Sequence, residues 1–202
     1  MPLQRDLPVW LSLTTLYTSP SGLTDPRTGV AYRAGGLYPG IYFDLTTAEA
    51  QNQNSQLFEG RYRFVQLDST ATAANIQTGS IGLMKSLAKG PNFITDYSNG
   101  LSGAIRPVVF LAGATAAQVA SGLWVFVQEL GIATVLGKTN GVTNASPAVG
   151  DIINSIANGF AEDLATPGSI VPTTIGRAMT APSHTQTATF QVLLQDVPIV
   201  QD

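Results

Sequence analysis

Hydrophobic and polar residues alternate with a period of two in several short runs, and nowhere does a helical period persist. The clearest run is the last. Ala188, Phe190, Val192 and Leu194 face one way while Thr187, Thr189, Gln191 and Leu193 face the other, which predicts a strand over 187–194 with one buried side. An earlier run opens the main domain, where Tyr62, Phe64 and Gln66 alternate with Arg61, Arg63 and Val65. Further strands are expected at 81–85, at 105–111 with an interruption near Pro107, at 152–156, after the Asn158-Gly159 turn, and at 174–179. Residues 123–128 and 132–136 flank Glu129-Leu130-Gly131 and read as a central hairpin or a bulged strand pair. Residues 115–120 suit one short helix, and 90–103 reads as a loop.

Upstream, residues 7–16 place Val9, Leu11 and Leu13 on one side of an extended arm and Trp10, Ser12 and Thr14 on the other. Such an arm packs on its own domain or on a neighbour. Thr24-Asp25-Pro26-Arg27-Thr28-Gly29, Ala34-Gly35-Gly36 and Tyr38-Pro39-Gly40 carry turn chemistry, with short strands expected between them at 30–33 and 41–45. Thr46 and Glu49 have capping-box spacing, but no amphipathic run follows, so 46–56 reads as a linker with one helical turn. The expected division is therefore an N-terminal arm and linker region over 1–56 and a β-rich domain over 57–202. Many short strands with Gly and Pro turns predict an all-β fold, a small β-barrel or sandwich with an extended N-terminal arm. No fixed-period repeat is visible.

Composition supports a folded chain with an unusual surface. Of 202 residues, 44% are apolar and 11% charged, against about 25% charged in an average soluble protein. The 36 Ser and Thr residues must supply much of the polar exterior. A net charge of −3 provides no positive field to gather a polyanion, which disfavours nucleic acid as a partner. With no Cys and only His184, disulfides and Cys/His zinc shells are excluded within one chain. The N-terminal residues lack the basic-then-apolar layout of a signal peptide. The longest apolar run, Val108 to Ala112, falls far short of a membrane span, so the expectation is a soluble, unexported chain with no membrane partner.

Candidate chemistry is sparse. Gly131 to Thr139 imitates a phosphate loop, but five residues separate Gly131 and Gly137 where the motif has four, and the stretch between them is strand-like. Ser183-His184 are adjacent and cannot meet as nucleophile and base, and Gly100-Leu101-Ser102-Gly103 lacks the nucleophile-elbow spacing. Glu162-Asp163 are neighbours, and a glycosidase pair would have to be assembled by the fold from scattered glutamates. Asp96 and Asn99, and Asp151, Asn154 and Asn158, offer oxygen ligands without a calcium-loop spacing, and turn formation explains them better. Arg61-Tyr62-Arg63-Phe64 interleaves cations with aromatics, yet on a strand the two sets face apart, which predicts aromatics inside and arginines outside. Trp124 reads as core, whereas Trp10 on the arm is a candidate anchor for a partner. No catalytic, cofactor-binding or metal-ligating set is expected.

Several stretches together resemble the phage head decoration, or capsid cement, family. Glu59-Gly60-Arg61-Tyr62-Arg63-Phe64-Val65 is similar to the strand that opens that domain. Ser121-Gly122-Leu123-Trp124-Val125-Phe126-Val127-Gln128, with Gly131-Ile132-Ala133-Thr134-Val135, resembles the family's hairpin. Ala148-Val149-Gly150-Asp151, Thr174-Ile175-Gly176-Arg177-Ala178-Met179 and Ala188-Thr189-Phe190-Gln191-Val192-Leu193-Leu194 follow in the same order. Residues 1–56 and the 90–103 stretch have no counterpart in the pattern. The resemblance implies a non-enzymatic virion protein, made in the host cytoplasm, that binds the major capsid protein on the outer capsid surface as a homotrimer and needs no cofactor. On that reading the arm residues Val9, Trp10, Leu11, Leu13, Leu16 and Tyr17 are the interaction candidates. The alternative is a glycan-binding β module of a phage tail or surface appendage.

Overall fold

The computed structural model describes residues 11–18, 42–85, 93–96, 104–137, 147–155, 159–163, 174–181 and 188–195. Among them the chain is all-β. The strands are β1 (Tyr42–Leu45), β2 (Gly60–Leu67), β3 (Ile81–Lys85), β4 (Phe93–Asp96), β5 (Ala104–Phe110), β6 (Trp124–Gly137), β7 (Ile152–Ser155), β8 (Ala161–Asp163), β9 (Thr174–Ala178) and β10 (Ala188–Leu194). Two short helices, α1 (Thr47–Gln53) and α2 (Ala116–Ala120), accompany them.

Strand pairing closes into two rings that share β6. In the first, β2 pairs parallel with β4, and β4–β3, β3–β5, β5–β6 and β6–β2 are antiparallel. In the second, β6 pairs parallel with β8, and β8–β7, β7–β9, β9–β10 and β10–β6 are antiparallel. Numbered from its own first strand, each ring runs 1-3-2-4-5 with strands 1 and 3 parallel. The chain thus contains the same five-stranded barrel twice, an internal repeat that the sequence does not display.

The correspondence extends to single hydrogen bonds. Before β3, Ser80 N donates to Gln77 O and Gln77 N to the Ser80 hydroxyl, while Gly79 N donates to Phe110 O and Phe110 N to Ser80 O. Before β7, Asp151 N donates to Ala148 O and Ala148 N to the Asp151 carboxylate, while Gly150 N donates to Ala178 O and Ala178 N to Asp151 O. Gly79 and Gly150 both hold positive φ, +83° and +94°, which only glycine adopts without strain.

The interior of the first barrel is filled by Val65, Leu67, Met84, Val108, Phe110, Val125 and Val127, with Ile76, Val119 and Leu123 plugging one end. The second holds Ala133, Val135, Ile153, Ala161, Ala178, Phe190, Val192 and Leu194. How β6 serves both is a matter of register. Arg63 pairs with Val127 and Tyr62 with Gln128, but Arg61 pairs with Leu130, so Glu129 is an extra residue. That bulge shifts the side-chain alternation by one. Val125 and Val127 consequently point into the first barrel, whereas Ala133 and Val135, of the same odd parity, point into the second.

A third cluster covers the outside of the first barrel, where Leu11, Leu13, Phe43, Leu45, Ala50 and Leu57 pack on Tyr62, Phe64, Trp124 and Phe126. The expected boundary at residue 56 therefore falls inside one core, with β1 paired to β2 across it. Residues 46–56, expected as a linker with one helical turn, hold a two-turn helix. Its capping box is complete, Thr46 N donating to Glu49 at 2.8 Å, and α1 buries only Ala50, which is why no amphipathic run announces it. α2 forms as expected behind Thr115 and Gln118.

Three further expectations are corrected. Residues 124–137 form one continuous strand, so of the two readings the hairpin fails and the bulge is present within a single strand, because the positive φ of Gly131 (+90°) serves the bulge and no chain reversal. β5 passes through Pro107, whose position pairs with Leu83; β6 joins β5 only at Val109 and Phe110, so no ladder bond is lost there. β4 lies within the 90–103 stretch expected as loop, the rest of which, with the strand expected at 30–33, is outside the described residues.

Candidate functional site

One polar constellation lies inside the fold. Arg61 and Arg63 share the inward face of β2 with Val65 and Leu67, so they enter the mouth of the first barrel, where solvated exterior positions were expected. There the Glu129 side chain is wholly buried. Arg63 donates to both its oxygens, Nε to Oε2 at 2.7 Å and Nη2 to Oε1 at 2.8 Å. Arg106 Nη1 stands 3.7 Å from Oε2 and Arg61 Nε 4.0 Å from Oε1. Arg61 also grips Asp44 of β1 through Nε at 2.8 Å and Nη2 at 3.2 Å, a contact that holds its guanidinium above its already high pKa. The Arg61 and Arg63 guanidiniums lie over the Tyr42 ring, 4.3 and 5.3 Å from its centroid.

Chemically this is a strut. A bidentate carboxylate–guanidinium pair fixes orientation, and a general base would need a lone pair turned toward a substrate. The extra residue of the bulge is thus the anchored one, which joins β1, β2, β5 and β6 at the point where the barrels part. The signal that sequence reasoning missed was a single carboxylate within the apolar run 123–136, matched by two arginines on a strand otherwise rich in core residues.

The expected interaction residues of the arm divide. Leu11 and Leu13 are sealed in the protein's own core, which corrects their assignment to a neighbour: both belong to the buried cluster that includes Phe64 and Phe126 and have almost no surface left to offer. Tyr17 is half-buried, exchanges two 2.8 Å backbone hydrogen bonds with Trp124, and sets its ring edge-on to Phe64 and Phe126. Its hydroxyl donates to Ser12 O at 2.7 Å, and burial raises its pKa. Leu16 packs partly buried against the first barrel's core. Val9 and Trp10 lie outside the described residues. Replacing Leu13 with alanine is expected to cost about 2–5 kcal/mol, read as a lower urea midpoint with unchanged strand content.

Of the remaining candidates, Trp124 is core, stacked on Phe64 at 5.4 Å, and Tyr62 is buried with its hydroxyl donating to Phe58 O. Gly131 to Gly137 is strand, as expected. Asp151 is a turn residue, and Asn154 accepts from the Thr174 hydroxyl inside the β7–β9 pair. Asn99, Asn158, Ser102, Ser183 and His184 fall outside the described residues. Among the described residues no three His, Cys, Asp or Glu side chains gather as a metal site, and no helix is long and apolar enough to cross a membrane.

Among the described residues the large exposed apolar side chains lie on or beside one wall of the second barrel. Registered pairs align Ile152, Arg177, Leu193 and Ile132 in one row across β7, β9, β10 and β6, with Gln191 and Thr134 in the next. Leu193 is 38% exposed, and Met179 and Val149 at the end of the wall are 41% and 67% exposed. The equivalent wall of the first barrel, on β2 and β6, is the one buried under Leu11, Leu13 and β1. Comparisons of the chain with family models, with curated proteins and with solved structures find no match.

Proposed function

We propose that the protein is a non-enzymatic virion structural protein, a decoration protein that binds the outer surface of a phage capsid lattice as a symmetric homotrimer and stabilises the head. The observation that carries this reading is the contrast between filled interiors and an exposed wall. Side chains occupy both barrels, and the mouth of the first is closed by an ion-pair strut, so the working part of the molecule is its exterior. The wall is lined by half-buried Ile132, Thr134 and Gln191 and exposed Leu193, and is charged at Arg177. Such a surface suits a repeated contact with coat subunits, in which several weak contacts add through avidity.

The test is cosedimentation of the purified protein with cognate capsids that lack it. Wild type is expected to saturate the lattice at a fixed stoichiometry. Leu193→Asp, an exposed position, is expected to keep its circular dichroism and mass while losing at least about tenfold in capsid affinity, since a charge at a contact centre is multiplied across the copies. Absence of lattice binding, or binding to saccharides alone, would reject the proposal in favour of the glycan-binding alternative.

A further inference from the structure

The internal repeat puts the same row of positions on the outside of each barrel. In the first barrel, registered pairs link Ile81, Val109, Gln128 and Tyr62 across β3, β5, β6 and β2. In the second they link Ile152, Arg177, Leu193 and Ile132 across β7, β9, β10 and β6. All four residues of the first row are buried by other parts of the chain, none of them more than 2% exposed. Those of the second row are not: Arg177 and Leu193 are exposed, and Ile152 and Ile132 are half-buried. A row that is a contact surface in one barrel therefore faces solvent in the other, and there it sets a single charge among aliphatic side chains.

The bonding of Arg177 differs from that of the other described arginines. Arg61, Arg63 and Arg106 each stand within 3.7 Å of a carboxylate oxygen. Arg177 has no carboxylate partner among the described residues. Its Nη1 donates to Gly150 O at 3.0 Å, which fixes the guanidinium in advance and leaves the Nε–Nη2 edge for a bidentate acceptor. Met179, two residues along on the same face, and Val149, beside Gly150, are exposed apolar neighbours. Arginine ringed by Met, Leu and Ile is the composition of a contact centre, where the apolar ring excludes water and strengthens the ion pair inside it. We propose that Arg177 is the specificity-determining residue of this wall, and that the partner surface presents an aspartate or glutamate flanked by aliphatic side chains. The inference rests on the capsid-binding reading and specifies what a coat subunit offers at the contact. Charge complementarity selects that occupant: a wholly apolar surface would bury the guanidinium with no countercharge, which is strongly unfavourable, and a basic one would repel it.

The experiment measures cosedimentation with cognate capsids that lack the protein, for wild type, Arg177→Met, Arg177→Lys and Leu193→Asp, at about 50 mM and about 500 mM salt. Arg177→Met keeps the length and apolar stem and removes the charge. Wild type is expected to bind at least about tenfold more tightly than Arg177→Met at low salt, and this ratio should shrink at high salt because the ion pair is screened. Arg177→Lys, which keeps the charge without the planar fork, should fall between the two. A purely structural role for the Gly150 hydrogen bond would lower affinity by the same factor in both salts, so a ratio that does not change with salt overturns the inference. Arg177→Met binding as wild type while Leu193→Asp fails to bind also overturns it, and leaves capsid binding through the wall standing. If wild type itself does not bind the lattice, the inference falls together with the reading it rests on. Arg177→Gln gives the same comparison should the methionine variant not fold.

Discussion

Gly131→Ala is expected to abolish the native fold, while Gly150→Ala, at almost the same backbone angle, should cost only about 1–2 kcal/mol. The two glycines have φ of +90° and +94°, so the conformational penalty is common to both. What separates them is space. A Cβ on Gly131 would lie 2.2 Å from Glu59 O and 2.5 Å from the Gly60 Cα, backbone atoms at the start of β2 and of the residue before it, whereas one on Gly150 meets nothing within 4 Å. Relief at Gly131 requires β2 to move away from β6, and that pairing joins the first barrel's wall to the strand both barrels use. The loss should therefore exceed about 4 kcal/mol, the range reserved for changes with a specific structural cause. Circular dichroism and urea unfolding of the two variants side by side check this; equal destabilisation would show that the close approach of the strands does not matter.

Glu129→Gln is expected to destabilise by about 3 kcal/mol, near the lower end for breaking a buried pair, because the Arg63 side chain retains 20% exposure and can recover some hydration. The amide keeps the volume and removes the charge that Arg63 grips with two bonds and that Arg106 and Arg61 flank. The double replacement Glu129→Leu with Arg63→Met should be less destabilised than Glu129→Gln, since the bidentate partner goes with the carboxylate, Arg61 keeps Asp44, and Arg106, 27% exposed, loses only a 3.7 Å contact; buried pairs exchanged for apolar side chains are often neutral. Chemical denaturation of both variants against wild type decides it. If Glu129→Gln unfolds at the wild-type midpoint, the strut does not hold the bulge.

Much of this architecture was legible in residue alternation. β10 buries Phe190, Val192 and Leu194 and exposes Thr189 and Leu193, as its pattern predicts. β2, β3, β7, β9 and α2 also lie where turn residues and periodicity place them. The repeat was not legible, because what the two barrels share is backbone geometry at few obligatory side chains. The turns before β3 and β7 have in common a glycine at positive φ and an oxygen-bearing side chain one residue later, Ser80 in one and Asp151 in the other. Spacing alone does not reveal such a match. β6 was only half legible for a related reason: glycine signals positive φ, and positive φ serves a bulge as well as a chain reversal, so the hairpin and the bulge both stayed open. The strut escaped notice because Glu129 and its arginines are 66 and 23 residues apart or more and meet only through the register of four strands. The exposed wall of the second barrel was not legible, since which of the two walls is covered depends on where residues 11–18 and β1 lie.

Because β6 belongs to both barrels, the order of synthesis matters. Once residue 137 has left the ribosome the first barrel has every strand it needs, but the trailing half of β6 then projects from it, tied back only by Ile132 N to Glu59 O and Leu136 N to Gly79 O among the described residues, with its β8 and β10 partners not yet made. One edge waits for β8 at Ala161 and the other for β10 at Ala188–Leu194. Throughout that interval the nascent chain carries a bare strand edge of the type that captures other chains. The alternation of Ile132, Thr134 and Leu136 with Ala133 and Val135 makes it apolar on both sides, so slow translation across residues 138–188 is the period in which this protein is most exposed to misassembly.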